Sequence, residues 1–450
     1  MAKETSAPSQ SVAELNACVS SSSGARPVKV TSFREWMIAS QIGISVTTLA
    51  TLLALHNLYP SLRPYTQPFF ELSYYVPSKG QYVQGWNDIY FVASGIIAFT
   101  AIRAIAIEWI LQPLARYAGL KRKASVRFAE QAWLFMYDGF FWSLGMYLWK
   151  NSSYWLDYGA IWSEWPQRAL PGLNKWYLLV QLSFWIQQIM VIHLEARRKD
   201  HYQMLTHHVV TSALLSSAYV YRFYNVSNVV LCLMDIVDFL LPAAKILKYF
   251  KFEFACNVAF GILMVAWFIT RHIFYPILCW SIYKNLPGKL SFGCYSGSTA
   301  EMISTDGYPD AFAYMLAPYQ DLNNPICMNR TIKWIFLSFL LFLQGLSIVW
   351  FSMIVRVAVN VLRTGNAEDS RSDDEEEDEI EAGDEIVSNG SVLGKDGVST
   401  IPVLSDGSSG LDHRRSNGAT AVRPRGRGRV PFDQSDRRAL LGRIGCDKPT

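Results

Sequence analysis

His207 and His208 stand side by side at the head of one apolar segment, and Asp235 and Asp238 lie within the next. Of all residues in the chain, these have the types and spacing best suited to chemistry. On a helix Asp235 and Asp238 are three apart and share a face; His207 and Thr211, four apart, share another. If the two segments are neighbouring helices, an imidazole can meet a carboxylate inside the bundle. That is the raw material of a general base, or of an activated histidine nucleophile. Ionisable groups at membrane depth are costly and usually face a bundle interior or a cavity. The competing reading is structural, since Asp and His also hydrogen-bond across membrane helices without doing chemistry. Four such residues in two consecutive segments favour a site.

These residues must be held by membrane helices. With 51% hydrophobic and 17% charged residues, the 450-residue chain is too apolar for an ordinary soluble protein. Its 15 Trp, 23 Tyr and 25 Phe suit aromatic belts at two membrane interfaces. Hydropathy predicts eight spans, near residues 36–58, 88–111, 128–149, 176–194, 201–221, 228–247, 254–282 and 334–357, each close to the ~20 residues that cross a bilayer. Lys and Arg gather before the first span and after the second, fourth, sixth and eighth, which places both termini in the cytosol. Sequons at Asn151, Asn225 and Asn329 fall in the opposite loops and lend mild support. Residues 1–33 have no apolar core, so the first span is expected to act as its own insertion signal.

Seven cysteines include no CxxC pair. Cys232, Cys256 and Cys279 read as core residues, whereas Cys294 and Cys327 share one polar loop and are expected to pair if that loop is lumenal. After Gly365 an acidic run, Glu368 to Glu385, reads as disordered. Within it Ser370 and Ser372 each have an acidic residue three positions on, a context for an acidophilic kinase. A solvating tail with incidental serines explains them equally well. The basic stretch from Arg423 to Arg429 suits anionic lipid headgroups; without a fold or aromatic platform beside it, nucleic acid is not an expected partner.

Seven histidines without a repeated HxxHH box are too few for a diiron desaturase or hydroxylase, so no catalytic metal is expected. There is no GxSxG nucleophile elbow. The residues alone therefore support an intramembrane His/Asp site and an apolar substrate, with the reaction left open.

HHVVT at His207–Thr211, MDIVD at Met234–Asp238 and AAKILKY at Ala243–Tyr249, in that order, resemble the signature of the ceramide synthase (longevity-assurance) family. The stretches Arg127–Trp133 and Glu195–His201 fit the same pattern, and Arg271-His272 with Pro276-Ile277-Leu278 resembles the family's next helix. The chain departs from the family in having Asn228 where a Gly is common, and Tyr221-Arg222-Phe223-Tyr224 before the sixth span. It has no homeobox-like insert, and its extra second span is similar to fungal or plant members.

The resemblance implies an all-α integral membrane protein of about eight transmembrane helices, the last six forming a TLC-type bundle or barrel, with disordered termini. Its parts would be a cytosolic N-terminus (1–33), two N-terminal spans (34–122), the catalytic TLC domain (123–362) and an acidic-then-basic cytosolic tail (363–450). The implied reaction is N-acylation of a sphingoid base by a fatty acyl-CoA, which is co-substrate; no further cofactor is implied. His207, His208, Asp235 and Asp238 would be catalytic, with His207 the principal group and Asp238 its partner. Arg271 and His272 would add polar groups to the bundle. Arg197, Arg198 and Lys199 are candidates for the phosphates of CoA, although the charge pattern favours reading them as a topology signal. The implied location is the endoplasmic reticulum membrane, with a homodimer or a small regulatory membrane subunit as partner. Two other classes stay open: a lipid or polypeptide translocation factor, and a proton-coupled transporter using the same ionisable groups as a relay. Of the three, only the enzyme releases CoA.

Overall fold

Backbone groups in a bilayer must be satisfied within the chain, so long apolar stretches become helices. The computed structural model describes residues 33–194, 200–304 and 312–364, all inside one compact unit, Met1–Ile380. The two ends of the chain expected to be disordered lie outside the described residues. In order come α1 (Phe33–Leu58), then α2 (Asp88–Ile105), which runs through a π-helical turn, Ala106–Leu111, into α3 (Gln112–Tyr117). Next are α4 (Arg122–Lys150), α5 (Gly172–Leu194), α6 (His201–Val220) and α7 (Tyr224–Tyr249). Then α8 (Glu253–Trp267) passes through a second π-helical turn, Phe268–Phe274, into α9 (Tyr275–Lys284). The short α10 (Ala313–Gln320) precedes α11 (Arg330–Thr364). Both π turns end just before a proline, Pro113 or Pro276. Proline donates no backbone bond and its ring crowds the preceding turn, and a widened turn relieves both.

Contacts run α4 to α7, α7 to α8, α9 to α11, α11 to α6, α6 to α5 and α5 to α4, so the helices from α4 onward close a ring. The pair α1–α2 lies outside it, with α2 against α5. Five helical stretches are long and apolar enough to cross a membrane: Glu35–Leu58, Asp88–Tyr117, Gly172–Leu194, Glu253–Lys284 and Arg330–Asn360. The expected spans in α4, α6 and α7 match that length, but their polar residues keep them below that apolarity.

The loops contribute more than the sequence suggests. A first antiparallel sheet joins β1 (Tyr75–Val76), β2 (Gln81–Val83) and β3 (Ala169–Leu170), with Tyr82 opposite both Tyr75 and Leu170. A second places β4 (Gly293–Tyr295) between β5 (Met302–Ser304) and β6 (Ile326–Met328), with Cys294 opposite Cys327 and a disulfide joining them. The segments expected to be polar loops in fact bury Trp162, Trp165, Ile326 and Met328 in one apolar cluster at the end of the ring. Of the sequon asparagines, Asn151 is exposed, whereas Asn329 is buried, donating to Tyr314 Oη at 2.7 Å and accepting from Ile332 N at 2.8 Å.

Asn228 explains its own departure from glycine. Its amide donates to Gly145 O on α4 at 3.2 Å and its oxygen accepts from Tyr154 Oη at 3.3 Å. The small residue at this crossing is Gly145 instead: a Cβ there would lie 2.5 Å from Tyr177 Oη and 3.0 Å from Cys232 Sγ. Close helix approach in membranes needs such a residue on one partner, not on both.

Candidate functional site

A cavity of about 840 Å³, including its mouth, occupies the middle of the ring. On α6 it is lined by His207, Thr211, Leu214, Leu215 and Ala218, and on α7 by Val226, Val230, Met234 and Asp235 among others. These are the stripes that helical periodicity predicts. Trp185 of α5 and Phe336, Leu340 and Leu343 of α11 complete the shaft, and Trp162, Leu286, Met328 and Lys333 surround its loop end. From His207 to Ala218 the shaft is on the order of 16 Å long, at 1.5 Å per residue.

The polar groups gather at the inner end. Asp235 is buried, and its Oδ2 accepts from Gln181 Nε2 at 2.9 Å. Gln181 Oε1 in turn accepts from Tyr137 Oη at 2.9 Å. The other Asp235 oxygen, His207 Nδ1 and Thr211 Oγ1 are buried without a hydrogen-bond partner in the protein. Buried polar atoms left this way are uncommon and call for a ligand or water to meet them. His207 is wedged by rings, edge-on to Trp185 at 5.8 Å and to Trp350 at 5.1 Å.

The four expected residues divide into two sets. His207 and Asp235 line the cavity; His208, tilted against Trp185 at 5.2 Å, and Asp238 do not. Asp238 sits one turn beyond Asp235, and its carboxylate accepts from Arg271 Nη2 at 3.3 and 3.4 Å rather than from His207. Arg271 is buried, donates to Met234 O at 2.8 Å and lies over Trp267 at 4.3 Å. Its neighbour in the same π turn, His272, points elsewhere: its Nδ1 accepts from Gln344 Nε2 at 3.1 Å on α11. Arg197, Arg198, Lys199, Ser370 and Ser372 lie outside the described residues. Among the described residues no group of three or more His, Cys, Asp or Glu is arranged to hold a metal ion.

The sequence reading missed Asp138. It is buried on α4 and lies within electrostatic reach of both Asp235 and Asp238. An isolated acid in MYDGFFW belongs to no recognised motif, but the rule applied to Asp235, that intramembrane charge marks function, would have found it. A second missed feature is an ion pair between Lys175 and Asp88 at 2.7 Å, both buried. Tyr219 Oη also donates to Asp88, at 2.7 Å, and Lys175 donates to Ser73 O and Val83 O at 2.9 and 2.7 Å. This cluster ties α2 to α5 at the loop end of the bundle, away from His207.

The TLC-domain family model matches residues 127–356, which contain all of the ring but the first residues of α4 and the last of α11, and every residue named at the cavity. A sphingosine N-acyltransferase-like protein, ALT7, of Alternaria alternata is 42% identical over 77% of this chain and 78% of its own length. Ceramide Synthase FUM18 of Gibberella moniliformis is 37% identical over 76% and 79%. Sphingosine N-acyltransferase lag1 of Schizosaccharomyces pombe is 38% identical over 72% and 76%. With the family model spanning the cavity and relatives of this identity covering most of their own length, the chain belongs to the TLC-domain ceramide synthase family of acyltransferases.

Proposed function

We propose that this protein joins the amine of a sphingoid base to the acyl group of a fatty acyl-CoA, releasing CoA, at the inner end of the cavity. One observation carries the reading: His207 and Asp235, with unpartnered buried polar atoms, line one end of a cavity whose walls are mostly apolar. A shaft on the order of 16 Å matches half of a ~30 Å hydrocarbon core. It accepts one long chain and leaves the reacting group beside His207.

The chemistry follows from the substrates. Only the neutral amine is a nucleophile, so a base must take its proton. His207 is that base; equally, its imidazole can first receive the acyl group from the thioester. In either order the C–S bond breaks, the amide C–N bond forms, and the amine proton leaves through the imidazole toward the departing thiolate. Asp235 faces the same space and stabilises the imidazolium. Asp238, held by Arg271, and Asp138 set the charge behind it, and His208 shapes the wall through Trp185. This assignment makes Asp235 the carboxylate nearer to the reaction and Asp238 the more distant, the reverse of the order expected from the sequence. Arg197, Arg198 and Lys199 join the ends of the two helices, α5 and α6, that carry Trp185 and His207, which suits a role with CoA phosphates.

The wider reading adds α4, α6 and α7 to the five apolar stretches, giving eight spans with both termini cytosolic in the endoplasmic reticulum. A homodimer or small regulatory subunit would sit against its lipid-facing helices. Purified protein given a sphingoid base and acyl-CoA should release free thiol in step with amide; release of neither would remove the assignment. Glycan-acceptor tags placed in residues 284–330 should be modified and tags in 121–127 should not, and the reverse pattern would invert the orientation.

A further inference from the structure

Arg222 is a residue that the proposed reaction leaves unused. It follows α6 with φ at +61°, a left-handed conformation that glycine adopts freely and arginine does not. Keeping arginine here indicates that its side chain is needed. That side chain is buried, 3% exposed. Nη2 donates to Gly297 O. With the Gln84 amide nitrogen turned toward Tyr219 O and Tyr224 Oη, the Gln84 oxygen accepts from Arg222 Nε at 3.3 Å. Nη1 has no partner in the protein. Among the described residues, the groups acting on it electrostatically are Tyr224 and a second cation, Arg168, and no carboxylate. Buried charges are normally paired.

Arg222 lines a small hollow that is open to solvent, together with Gln167, Asn225, Trp162 and Trp165. Trp162, Phe223 and Val226 are also walls of the large cavity. Arg222 and Phe223 form the turn between α6 and α7, where the chain leaves one membrane helix and starts the next. We propose that this hollow binds a phosphate group, that of a lipid headgroup at the membrane face, with Arg222 as the buried cation and Gln167 and Asn225 as amide donors. Arginine's fork of donors suits a phosphate oxyanion, and a bound lipid would brace the wall shared with the cavity.

The test uses the full chain in nanodiscs of phosphatidylcholine, with or without phosphatidate, and in detergent with inorganic phosphate. Retained lipid is read by native mass spectrometry and stability by thermal unfolding. Wild-type protein should retain phosphatidate and unfold at a higher temperature with it. Arg222→Gln should weaken retention about tenfold or more. Because that variant also loses the Gly297 contact, Gln167→Glu is the stricter probe: it supplies an internal carboxylate and keeps the arginine. It should lose phosphatidate equally while turning over substrate at the wild-type rate. Stabilisation by inorganic phosphate alone, lost in both variants, would support the same site with a soluble anion as its source. Equal phosphatidate retention by all three proteins, or retention by none with no effect of phosphate, would overturn the proposal.

Discussion

α1 and α6 are both long enough to span a membrane, yet they are built on opposite principles. In the apolar stretch of α1, 6% of residues are buried within the protein, and most of the others are exposed. α6 does not reach the apolarity of a membrane span, because it carries His207, His208, Thr211 and Ser212; in return it forms a wall of the cavity. α5 stands between them, apolar enough to cross and 67% buried, with Gln181 turned toward Asp235. High apolarity thus does not by itself mark a helix that meets lipid, and His207 and Asp235 sit on two of the less apolar helices. At the stricter apolarity that five stretches satisfy, the two helices carrying His207 and Asp235 drop out.

That contrast can be broken experimentally, and the effects should fall off from the cavity outward. His207→Ala should lower turnover by roughly 10²- to 10⁴-fold, the usual worth of a general base, with circular dichroism unchanged. Turnover within a few-fold of wild type would move the chemistry elsewhere. Lys175→Met leaves Asp88 buried without its cation and should cost ~3–5 kcal/mol of stability. Adding Asp88→Asn should recover much of that loss, and thermal unfolding of the single and double variants measures both. Arg271→Leu should cost less, about 2 kcal/mol, because the Asp238 side chain is 37% exposed and its stranded charge keeps some solvation. A loss equal to that of Lys175→Met would mean that Asp238 is sealed off. Leu53→Ala on α1, where the side chain is 50% exposed, should change stability by less than about 0.5 kcal/mol. A larger loss would show that α1 is covered by a partner.

The contrast also explains what was legible in advance. Helices α1, α2, α5, α8–α9 and α11 announce themselves by apolar length, and α6 and α7 by ordered motifs. His207 and Asp235 were found because each lies in a recognisable run of residues. Asp138 was passed over because MYDGFFW is no motif, although its burial beside Asp235 is a strong signal in three dimensions. The pairing of Asp238 with Arg271 could not be read from spacing. Arg271 lies inside a π-helical turn, where regular α-helical spacing does not tell which way a side chain points. The Lys175–Asp88 pair joins residues far apart in the chain, which only the folded contact can reveal. The loops were misjudged for a compositional reason. Between the spans, Trp162, Trp165, Ile326 and Met328 are diluted by polar neighbours, so a windowed average hides residues buried in one apolar cluster.

The Asp88–Lys175 pair sets an order of events during synthesis. The ribosome delivers α2 long before α5, and a carboxylate cannot wait unpaired in hydrocarbon. Asp88 begins α2 and Lys175 lies in the first turn of α5, so both can stay at the water boundary while the intervening helix, α4, is inserted. The final pull inward, with Tyr219 closing over the pair, requires α6 as well. The first hairpin to enter the membrane therefore packs on α4 and α5 first, and its buried carboxylate gains its last donor, Tyr219, only when α6 arrives.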